Sequence, residues 1–358
     1  MTTESSPAFH PALPEPPERE ARPEWADLPP EVLSEIEKIT GKILNAEIAW
    51  GGYSPSACFR ATAADGGKYF IKGSHPGQTA HGAKALQQEI NAYKTLKFLQ
   101  ELAPRFHGSV SVGDEDDWRL GIWDMVDGKT ALPWTVAKTQ AVVELLWQLH
   151  SSVIRSDVAD LPDGRESNHV SDFFLGERLW KRFEREDDSN RQQHFAALFE
   201  DADAARHWLE THLPELVRLQ SRMRAMTGPE GVVHFDLRSD NILFNPESRA
   251  VIVDWTDTCW GQVLLDVVLF AQCVAAESGI PPQSIIKYYE EVSGHQYPRE
   301  DVLSVVATVT GYFADNAWRA VPQELPRLRW VQSICLQAGL SWLAAEGVIP
   351  LPGTLGRK

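Results

Sequence analysis

Cysteine is scarce in this 358-residue sequence, and its four cysteines are too widely spaced to form a CxxC pair. Such spacing predicts neither a zinc site nor a disulfide framework. Apolar runs of about 18 residues, the length that a membrane-spanning helix needs, are also absent. The first residues contain Glu4 and several prolines in place of the basic start and apolar core of an export signal. We therefore expect a cytoplasmic protein with no membrane partner.

Positive charge is in short supply, because 34 Lys and Arg residues stand against 50 Asp and Glu residues, for a net charge of −16 with His neutral. This balance argues against a nucleic-acid partner. It would attract a cationic ligand if the acidic residues line a cleft, and it would act only as a solubilising surface if they do not. Both interpretations stay open. The 43% hydrophobic content is sufficient for sizeable cores in one or more domains.

A polar loop between short apolar segments stands out from Val232 to Trp255, where the sequence reads VVHFDLRSDNILFNPESRAVIVDW. The apolar residues predict three short strands, at 232–233, 242–244 and 251–253. The turn residues Asn245, Pro246, Glu247 and Ser248 predict a hairpin between the last two strands. Such a hairpin returns Asp254 to the neighbourhood of Asn241.

Asp236, Asn241 and Asp254 are residue types that phosphoryl transfer uses. The oxygens of Asn241 and Asp254 are hard ligands that suit a Mg²⁺ ion shared with phosphate oxygens, so both are predicted metal ligands. Asp236 lies five residues before Asn241 and is the predicted catalytic base, which accepts a proton from a hydroxyl group.

The same stretch resembles known kinases. The spacing H-x-D-x-x-x-x-N, followed by an apolar strand and a further Asp, resembles the catalytic loop and the metal-binding Asp of protein kinases. The segments HFDLRSDNILF and VIVDW are closer still to the aminoglycoside phosphotransferase family, in which DW replaces DFG. This resemblance covers about residues 45 to 345. It implies a bacterial small-molecule kinase that uses ATP or GTP together with Mg²⁺.

The predicted N-terminal sheet contains the elements that the resemblance assigns to the nucleotide. A GGYSPS turn between the first two strands resembles the Gly-rich loop that covers the phosphates, which implies nucleotide contacts at Gly51, Gly52, Tyr53 and Ser54. A glycine pair in a tight hairpin has the same appearance, so the evidence comes from its context. Lys72 at the end of a later strand resembles the lysine that binds the α- and β-phosphates. Glu89, on a helix-compatible stretch, resembles its carboxylate partner.

The segment Asp124, Met125 and Val126 resembles the linker between the two kinase lobes, whose backbone groups contact the purine. Backbone recognition tolerates many side chains, so ATP and GTP remain equally compatible with this segment. Downstream, Asp266 stands among apolar residues, where a carboxylate is costly unless it is hydrogen-bonded. It resembles the structural Asp that braces the catalytic loop in this family.

Two positions depart from the commonest family pattern. Phe235 stands where the family often has Gly, and Arg238 stands where it often has His. Protein kinases place a lysine at the second position that steadies the γ-phosphate, so Arg238 is included among the predicted catalytic residues. Bracing of the loop is an equally good interpretation of Arg238.

The predicted architecture is a bilobal, protein-kinase-like α+β fold. We expect a disordered tail at residues 1–28, an N-lobe at 29–126 with a five-stranded antiparallel sheet, and a mostly helical C-lobe at 127–358. A helix is predicted in the segment from Pro29 to Leu44, with Gly41 as its stop. Helical segments at 173–183 and 195–219 are expected in the region where this family places its substrate-contacting insertions.

The predicted function is transfer of the γ-phosphoryl group to a hydroxyl of a small polar molecule. An antibiotic, such as an aminoglycoside or a nucleoside, is the leading acceptor, and resistance to it would follow. A metabolite kinase and a catalytically silent nucleotide-binding module are the alternatives. If some of the acidic residues near 184–203 line the cleft, their field would concentrate a cationic acceptor there; if they form a solvated face, a neutral acceptor is equally compatible. The oligomeric state is left open.

Overall fold

Five strands near the N-terminus form one antiparallel sheet, which confirms the predicted fold class at its most specific point. The computed structural model describes residues 14–76, 81–113, 117–161, 179–184, 189–277 and 279–356. The strand order is β1-β2-β3-β5-β4. The strands are β1 (Ile43–Ile48), β2 (Ala57–Ala63), β3 (Lys68–Ser74), β4 (Phe106–Val112) and β5 (Trp118–Asp124).

Helices pack on both faces of this sheet. Successive side chains on a strand point to opposite faces, so neighbouring residues contact different helices. Ile122 belongs to the cluster that packs under α1 (Pro30–Thr40). Its neighbour Trp123 belongs to the other large cluster, which includes residues of α2 (His81–Thr95) and the core of the C-lobe. The short helix α3 (Leu99–Leu102) then leads into β4.

The first helix stops at Gly41, as the sequence predicted. Gly41 has a φ of 75°, and β1 begins two residues later. Leu44, at the end of the segment assigned to this helix, is instead an exposed strand residue. The left-handed backbone at Gly41 ends the helix, since glycine adopts this conformation without steric cost.

Residues 14–28 differ from the predicted disordered tail. Leu28 is buried in the cluster beneath the sheet, and the ring of Trp25 meets that of Phe59 edge-on at 5.2 Å. The composition of this stretch is poor in apolar residues, but the few that it has are placed against the sheet. The remainder of the predicted tail, residues 1–13, lies outside the described residues.

The C-terminal part is mostly helical, as predicted. Its core contains the fully buried rings of Trp180, Phe270, Tyr289 and Trp342. The helices are α4 (Val136–Ser151), α5 (Ser189–Ala196), α6 (Ala202–Arg222), α7 (Leu264–Ala276), α8 (Pro282–Ser293), α9 (Arg299–Asn316) and α10 (Leu328–Ala345).

The helical predictions for the middle of the chain hold in part. The 195–219 stretch divides between α5 and α6, because Asp201 caps the start of the second helix by accepting a hydrogen bond from the Ala204 N–H at 2.9 Å. Of the 173–183 stretch, residues 173–178 lie outside the described part of the chain, and Leu179–Glu184 form a 3₁₀ helix.

Short strands carry the catalytic stretch between the helices. β6 (Lys129–Thr130), β8 (Ile242–Phe244) and β9 (Ala250–Ile252) form one small sheet. β7 (Glu230–Val233) pairs with β10 (Cys259–Gln262) in another. The predicted hairpin is therefore present, with Ile242 opposite Ile252.

Within the described ranges, none of the helices has both the length and the apolar character required to cross a bilayer.

Packing of α1 against the sheet yields a first prediction. Ile36 is fully buried there, so Ile36→Ala should lower the free energy of unfolding by about 2–5 kcal/mol through lost transfer energy and the cavity left behind. Urea denaturation followed by circular dichroism measures the change. Leu44→Ala serves as the control, because Leu44 is 66% exposed and should lose much less. Equal losses in the two variants would contradict the docking of α1.

Candidate active site

A buried carboxylate holds the backbone of the catalytic loop. Asp266 is fully buried on α7, and its two oxygens accept hydrogen bonds from the backbone N–H groups of His234 (2.7 Å) and Phe235 (2.8 Å). The ring of His150 lies 3.4 Å from the same carboxylate. Phe235 has a φ of 74°, which is uncommon for a large side chain. Asp266 stabilises this strained turn and so serves as the scaffold that its sequence context predicted.

His234 links the loop to the hairpin that follows it. Its Nε2 lies 3.0 Å from the carbonyl oxygen of Val253, and its Nδ1 lies 3.3 Å from the backbone nitrogen of Asp236. A carbonyl only accepts and a backbone N–H only donates, so the neutral ring carries its proton on Nε2. The side chain is fully buried. His234 therefore fixes the position of Asp236 relative to the end of the hairpin that carries Asp254.

Asp236 lies at the centre of the loop. Its Oδ2 accepts hydrogen bonds from Arg238 Nη2 and from Asn241 Nδ2, both at 3.0 Å. Burial raises the pKa of Asp236 to about 6; Arg238 opposes this rise, and the carboxylates of Asp240, Asp257 and Asp254 reinforce it. A carboxylate with a raised pKa is a better proton acceptor near neutral pH than an ordinary one.

Arg238 pairs with two carboxylates of the same loop. Its Nη2 lies 3.0 Å from Asp236 and 3.5 Å from Asp240. Its guanidinium carbon also lies 5.0 Å from the ring centre of Tyr53, which comes from the Gly-rich loop. These contacts favour the bracing interpretation of Arg238. Contact with a phosphate stays a prediction.

The hairpin brings the two predicted metal ligands to one end. The backbone N–H of Val253 donates to the carbonyl of Asn241 at 3.0 Å, which places Asp254 immediately beyond Asn241. The amide nitrogen of Asn241 points to Asp236, so its carbonyl oxygen is the atom left for a metal. Asp254 has a φ of 65° and accepts a hydrogen bond from Thr256 at 2.7 Å.

This donor set fits Mg²⁺ only in part. No group of three or more His, Cys, Asp or Glu side chains within the described residues is placed to hold a metal by itself. One amide oxygen and one carboxylate suit Mg²⁺ when phosphate oxygens complete the coordination shell. The residues therefore fit a metal that arrives with a nucleotide.

Lys72 links the two halves of the site. Its ammonium group lies 3.1 Å from Glu89 on α2 and 2.6 Å from Asp254. Burial opposes its charge, but the two carboxylates outweigh burial and raise the pKa of Lys72. Burial also raises the pKa of Glu89, to about 7, while Lys72 overcomes the effect of burial on Asp254 and lowers the pKa of that residue to about 2. The predicted Lys72–Glu89 pair is therefore present, with Asp254 as its third member.

The tip of the Gly-rich loop approaches the catalytic loop. Gly51 and Gly52 both have positive φ values, of 145° and 68°. A Cβ atom on Gly52 would lie 3.5 Å from the Asp240 carboxylate, an ordinary contact, so the positive φ and not a lack of space favours glycine there. The Ser54 hydroxyl is 2.6 Å from that of Ser56 and faces its own hairpin.

The predicted linker follows the last strand of the sheet. The backbone N–H of Met125 donates to the carbonyl of Lys68 at 3.1 Å, so it is already occupied inside the protein. The side chain of Asp124 accepts from His107, at 2.6 Å, and therefore faces the sheet. Contact with a purine at this linker stays a prediction, and the backbone groups left for it are the Met125 carbonyl and those of Val126.

A pocket of about 260 Å³ opens beside Asp236 on the C-lobe side. Its wall is largely apolar and comes from α7, α9 and α10. Carboxylates enter it at Asp236 and Asp257, and amides enter at Gln88, Gln272 and Gln332. The acidic residues expected near 184–203 do not line it where they are described, and residues 185–188 lie outside the described chain.

Some residues of the site were not predicted from the sequence motifs. His234 is part of the H-x-D spacing, but its bonds to Val253 and Asp236 depend on the folded hairpin. Thr256 and Asp257 follow the DW pair directly, and their position next to this motif is the sequence signal that identifies them. Tyr312 reaches the pocket from a helix about 75 residues downstream of the catalytic loop, and only the tertiary fold reveals it.

Solved structures share this fold at low sequence identity. A type VIII aminoglycoside-3′-phosphotransferase aligns with a TM-score of 0.51 and 17% identity, over 79% of this chain and 98% of its own. The choline kinase LicA from Streptococcus pneumoniae aligns with a TM-score of 0.55 and 13% identity, over 88% and 98%. A spectinomycin phosphotransferase in complex with ADP and spectinomycin aligns with a TM-score of 0.54 and 12% identity, over 87% and 97%.

No curated protein matches the sequence significantly. The family model described as the phosphotransferase enzyme family, abbreviated APH, matches residues 45–300. That range includes the Gly-rich loop, Lys72, the catalytic loop and the hairpin, and it spans more than half of the chain. With this match and a fold that it shares with solved kinases and phosphotransferases, the protein belongs to the phosphotransferase enzyme family.

Proposed function

We propose that the protein transfers the γ-phosphoryl group of ATP or GTP to a hydroxyl group of a small molecule, with an antibiotic as the leading acceptor. The observation that carries the proposal is a continuous series of contacts between the site residues. Lys72 forms an ion pair with Asp254, Asp254 lies at the end of the hairpin beside Asn241, and Asn241 donates a hydrogen bond to Asp236. A cation for phosphates, a metal-binding pair and a base thus lie in one continuous network. This is the set that phosphoryl transfer requires.

The residues take separate roles in the proposed reaction. Asp236 orients the acceptor hydroxyl and takes its proton while the hydroxyl oxygen forms a bond to the γ-phosphorus. The bond from that phosphorus to the β–γ bridging oxygen breaks, and the nucleoside diphosphate leaves with the electron pair. Lys72 holds the α- and β-phosphates. Mg²⁺, bound through Asn241 and Asp254, would supply positive charge to the phosphate oxygens.

The pocket beside Asp236 supports a hydroxyl acceptor with an apolar face. Leu269, Val309 and Phe313 contribute apolar wall, while Asp257 and the amides provide a few polar positions. An amine near Asp257 and a neutral hydroxyl group are both compatible with this wall. A spectinomycin phosphotransferase with the same fold binds ADP and an antibiotic, which supports placing both substrates in this cleft.

The base assignment gives the second prediction. Asp236→Asn should lower kcat about 10²-fold or more, because general-base catalysis is lost, while nucleotide affinity changes little. In the parent enzyme, kcat/KM should fall on the acid side as Asp236 gains a proton, with a midpoint near pH 6. The deprotonated form is the active one, so activity rises with pH through this midpoint.

Asp203→Asn is the matched control, since Asp203 is exposed on α6. It should keep both the rate and the acid limb. Near-normal turnover in Asp236→Asn would rule out the assignment.

The metal assignment gives the third prediction. Asp254→Asn should remove most of the Mg²⁺-dependent gain in nucleotide affinity, because two amides are poor ligands for this ion. Titration calorimetry with ADP, with and without Mg²⁺, measures the gain. Asp127→Asn near the linker is the control, since the Asp127 carboxylate is 78% exposed and lies 3.8 Å from Lys68. An unchanged Mg²⁺ response in Asp254→Asn would count against the metal site.

A direct test of function is a screen of nucleotide consumption, which gives the fourth prediction. Aminoglycosides, nucleosides, amino alcohols and sugars are each incubated with ATP and with GTP, and Asp236→Asn provides the background. At least one hydroxyl compound should be consumed about 10²-fold faster by the parent enzyme, with a phosphomonoester visible by ³¹P NMR. Tight nucleotide binding without any Asp236-dependent turnover would favour the silent nucleotide-binding module instead.

A further inference from the structure

Residues 15–22, which we call the N-terminal strap, cross the Gly-rich loop. The guanidinium of Arg22 donates to the carbonyl oxygens of Gly51 (2.6 Å) and Ser54 (3.0 Å), and also to that of Ala49. Three backbone carbonyls of one loop thus share a single side chain. Because an arginine fork binds several acceptors in a fixed geometry, Arg22 holds the loop in a defined shape.

The strap is also tied to the C-lobe. Glu20, only 2% exposed, accepts two hydrogen bonds from Arg327, at 3.1 Å from Nε and 2.5 Å from Nη2. Glu15 accepts a third, at 3.0 Å. Arg327 immediately precedes α10, where the helix dipole disfavours a positive charge, so these carboxylates are needed to stabilise it. Arg327 completes the link by donating to the carbonyl of Gly52, at 2.7 Å.

Tyr53, at the tip of the loop, connects this link to the catalytic loop. The guanidinium carbon of Arg327 lies 4.6 Å from the Tyr53 ring centre, and that of Arg238 lies 5.0 Å from it. The ring also packs against the apolar cluster formed by α7 and α10, which includes Ala276 and Ile334. Cation–π contacts are strongest where water is excluded, and this ring is partly enclosed by the C-lobe.

The orientation of Arg238 depends on this ring. Its Nη2 reaches both Asp236 and Asp240, but its buried Nε has no hydrogen-bond partner in the described part of the chain. The hydrogen bonds therefore hold the guanidinium along one edge only. The aromatic face of Tyr53 supplies a second constraint, which fixes the plane of the group.

We propose that the N-terminal strap holds the Gly-rich loop on the C-lobe, and that Tyr53 and Arg327 are thereby positioning residues that keep the Arg238 guanidinium beside Asp236. The proposal rests on the proposed function for its catalytic meaning. The geometry itself joins the strap to the base through four consecutive contacts: Glu20 to Arg327, Arg327 to Tyr53, Tyr53 to Arg238, and Arg238 to Asp236. Loss of any of these contacts should displace the Arg238 guanidinium from the carboxylate of Asp236.

The fifth prediction tests the two ends of this series without any acceptor. Hydrogen exchange of the loop amides at 50–54 should accelerate about tenfold in Glu20→Gln and in Arg327→Gln, because the loop is released from the C-lobe. The side-chain Nε–H of Arg238 should exchange with water about tenfold faster in Tyr53→Leu, since the ring no longer fixes the guanidinium beside Asp236. ¹H–¹⁵N NMR measures this exchange, with Arg238→Lys identifying the signal.

Two comparisons separate positioning from simple stability. Tyr53→Phe keeps the ring and should restore the slow exchange of the Arg238 Nε–H that Tyr53→Leu loses. Arg299→Gln is the matched arginine control, because Arg299 pairs with Glu346 on the surface away from the loop. It should change neither readout. If Arg327→Gln folds poorly because Glu20 is left buried and unpaired, the double variant Glu20→Gln/Arg327→Gln removes both charges and gives the same readouts.

The outcomes are distinct. Unaltered exchange of the Arg238 Nε–H in Tyr53→Leu, or unaltered loop exchange in the strap variants, overturns the proposal. Both readouts are taken on the free protein, so they stand even if the Asp236→Asn kinetics contradict the phosphotransfer mechanism. Measurement of kcat in Tyr53→Leu on the acceptor found by the screen then completes the test. A fall in kcat of about tenfold is expected of a positioning residue, with most of it recovered in Tyr53→Phe.

Discussion

The site depends on the two hydrogen bonds that the carboxylate of Asp266 accepts from the backbone. Its two oxygens bind the backbone of His234 and Phe235, and so they hold the left-handed turn that presents Asp236 to the cleft. A turn of this kind costs free energy that the surroundings must supply. Because Asp266 lies on the buried helix α7, the position of the base is set by the C-lobe core and not by the loop itself.

Charge distribution explains why this cleft is suited to phosphate chemistry. Asp236, Asp254 and Asp257 lie close enough for Asp254 and Asp257 to raise the pKa of Asp236, while Lys72 and Arg238 are each shared between two carboxylates. Negative charge is thus in excess at the site. A bound Mg²⁺ would bring positive charge to these carboxylates, and the nucleotide phosphates would compete with Glu89 and Asp254 for Lys72. Substrate binding and charge neutralisation are therefore coupled.

The sequence was most informative where function depends on local spacing. The loop and hairpin around Asp236, Asn241 and Asp254 follow from short-range pattern, and the five-stranded antiparallel sheet follows from the family resemblance. The stop of α1 at Gly41 is also a local signal. Long-range contacts were beyond that pattern, since the packing of residues 14–28 depended on a few side chains in a segment of disordered-like composition. Neither Glu20 nor Arg327 carries a motif, since they meet across about 300 residues of chain.

The strap also bears on how relatives of this chain are compared. The family model matches residues 45–300, so Glu20 and Arg327 both lie beyond its limits, one on each side. Engineering or annotation guided by the matched region alone would cut away both members of the ion pair while keeping every catalytic residue. A shortened chain of that kind would carry an intact set of motifs and a Gly-rich loop without its anchor. Sequence flanks outside a shared domain can thus determine how that domain behaves.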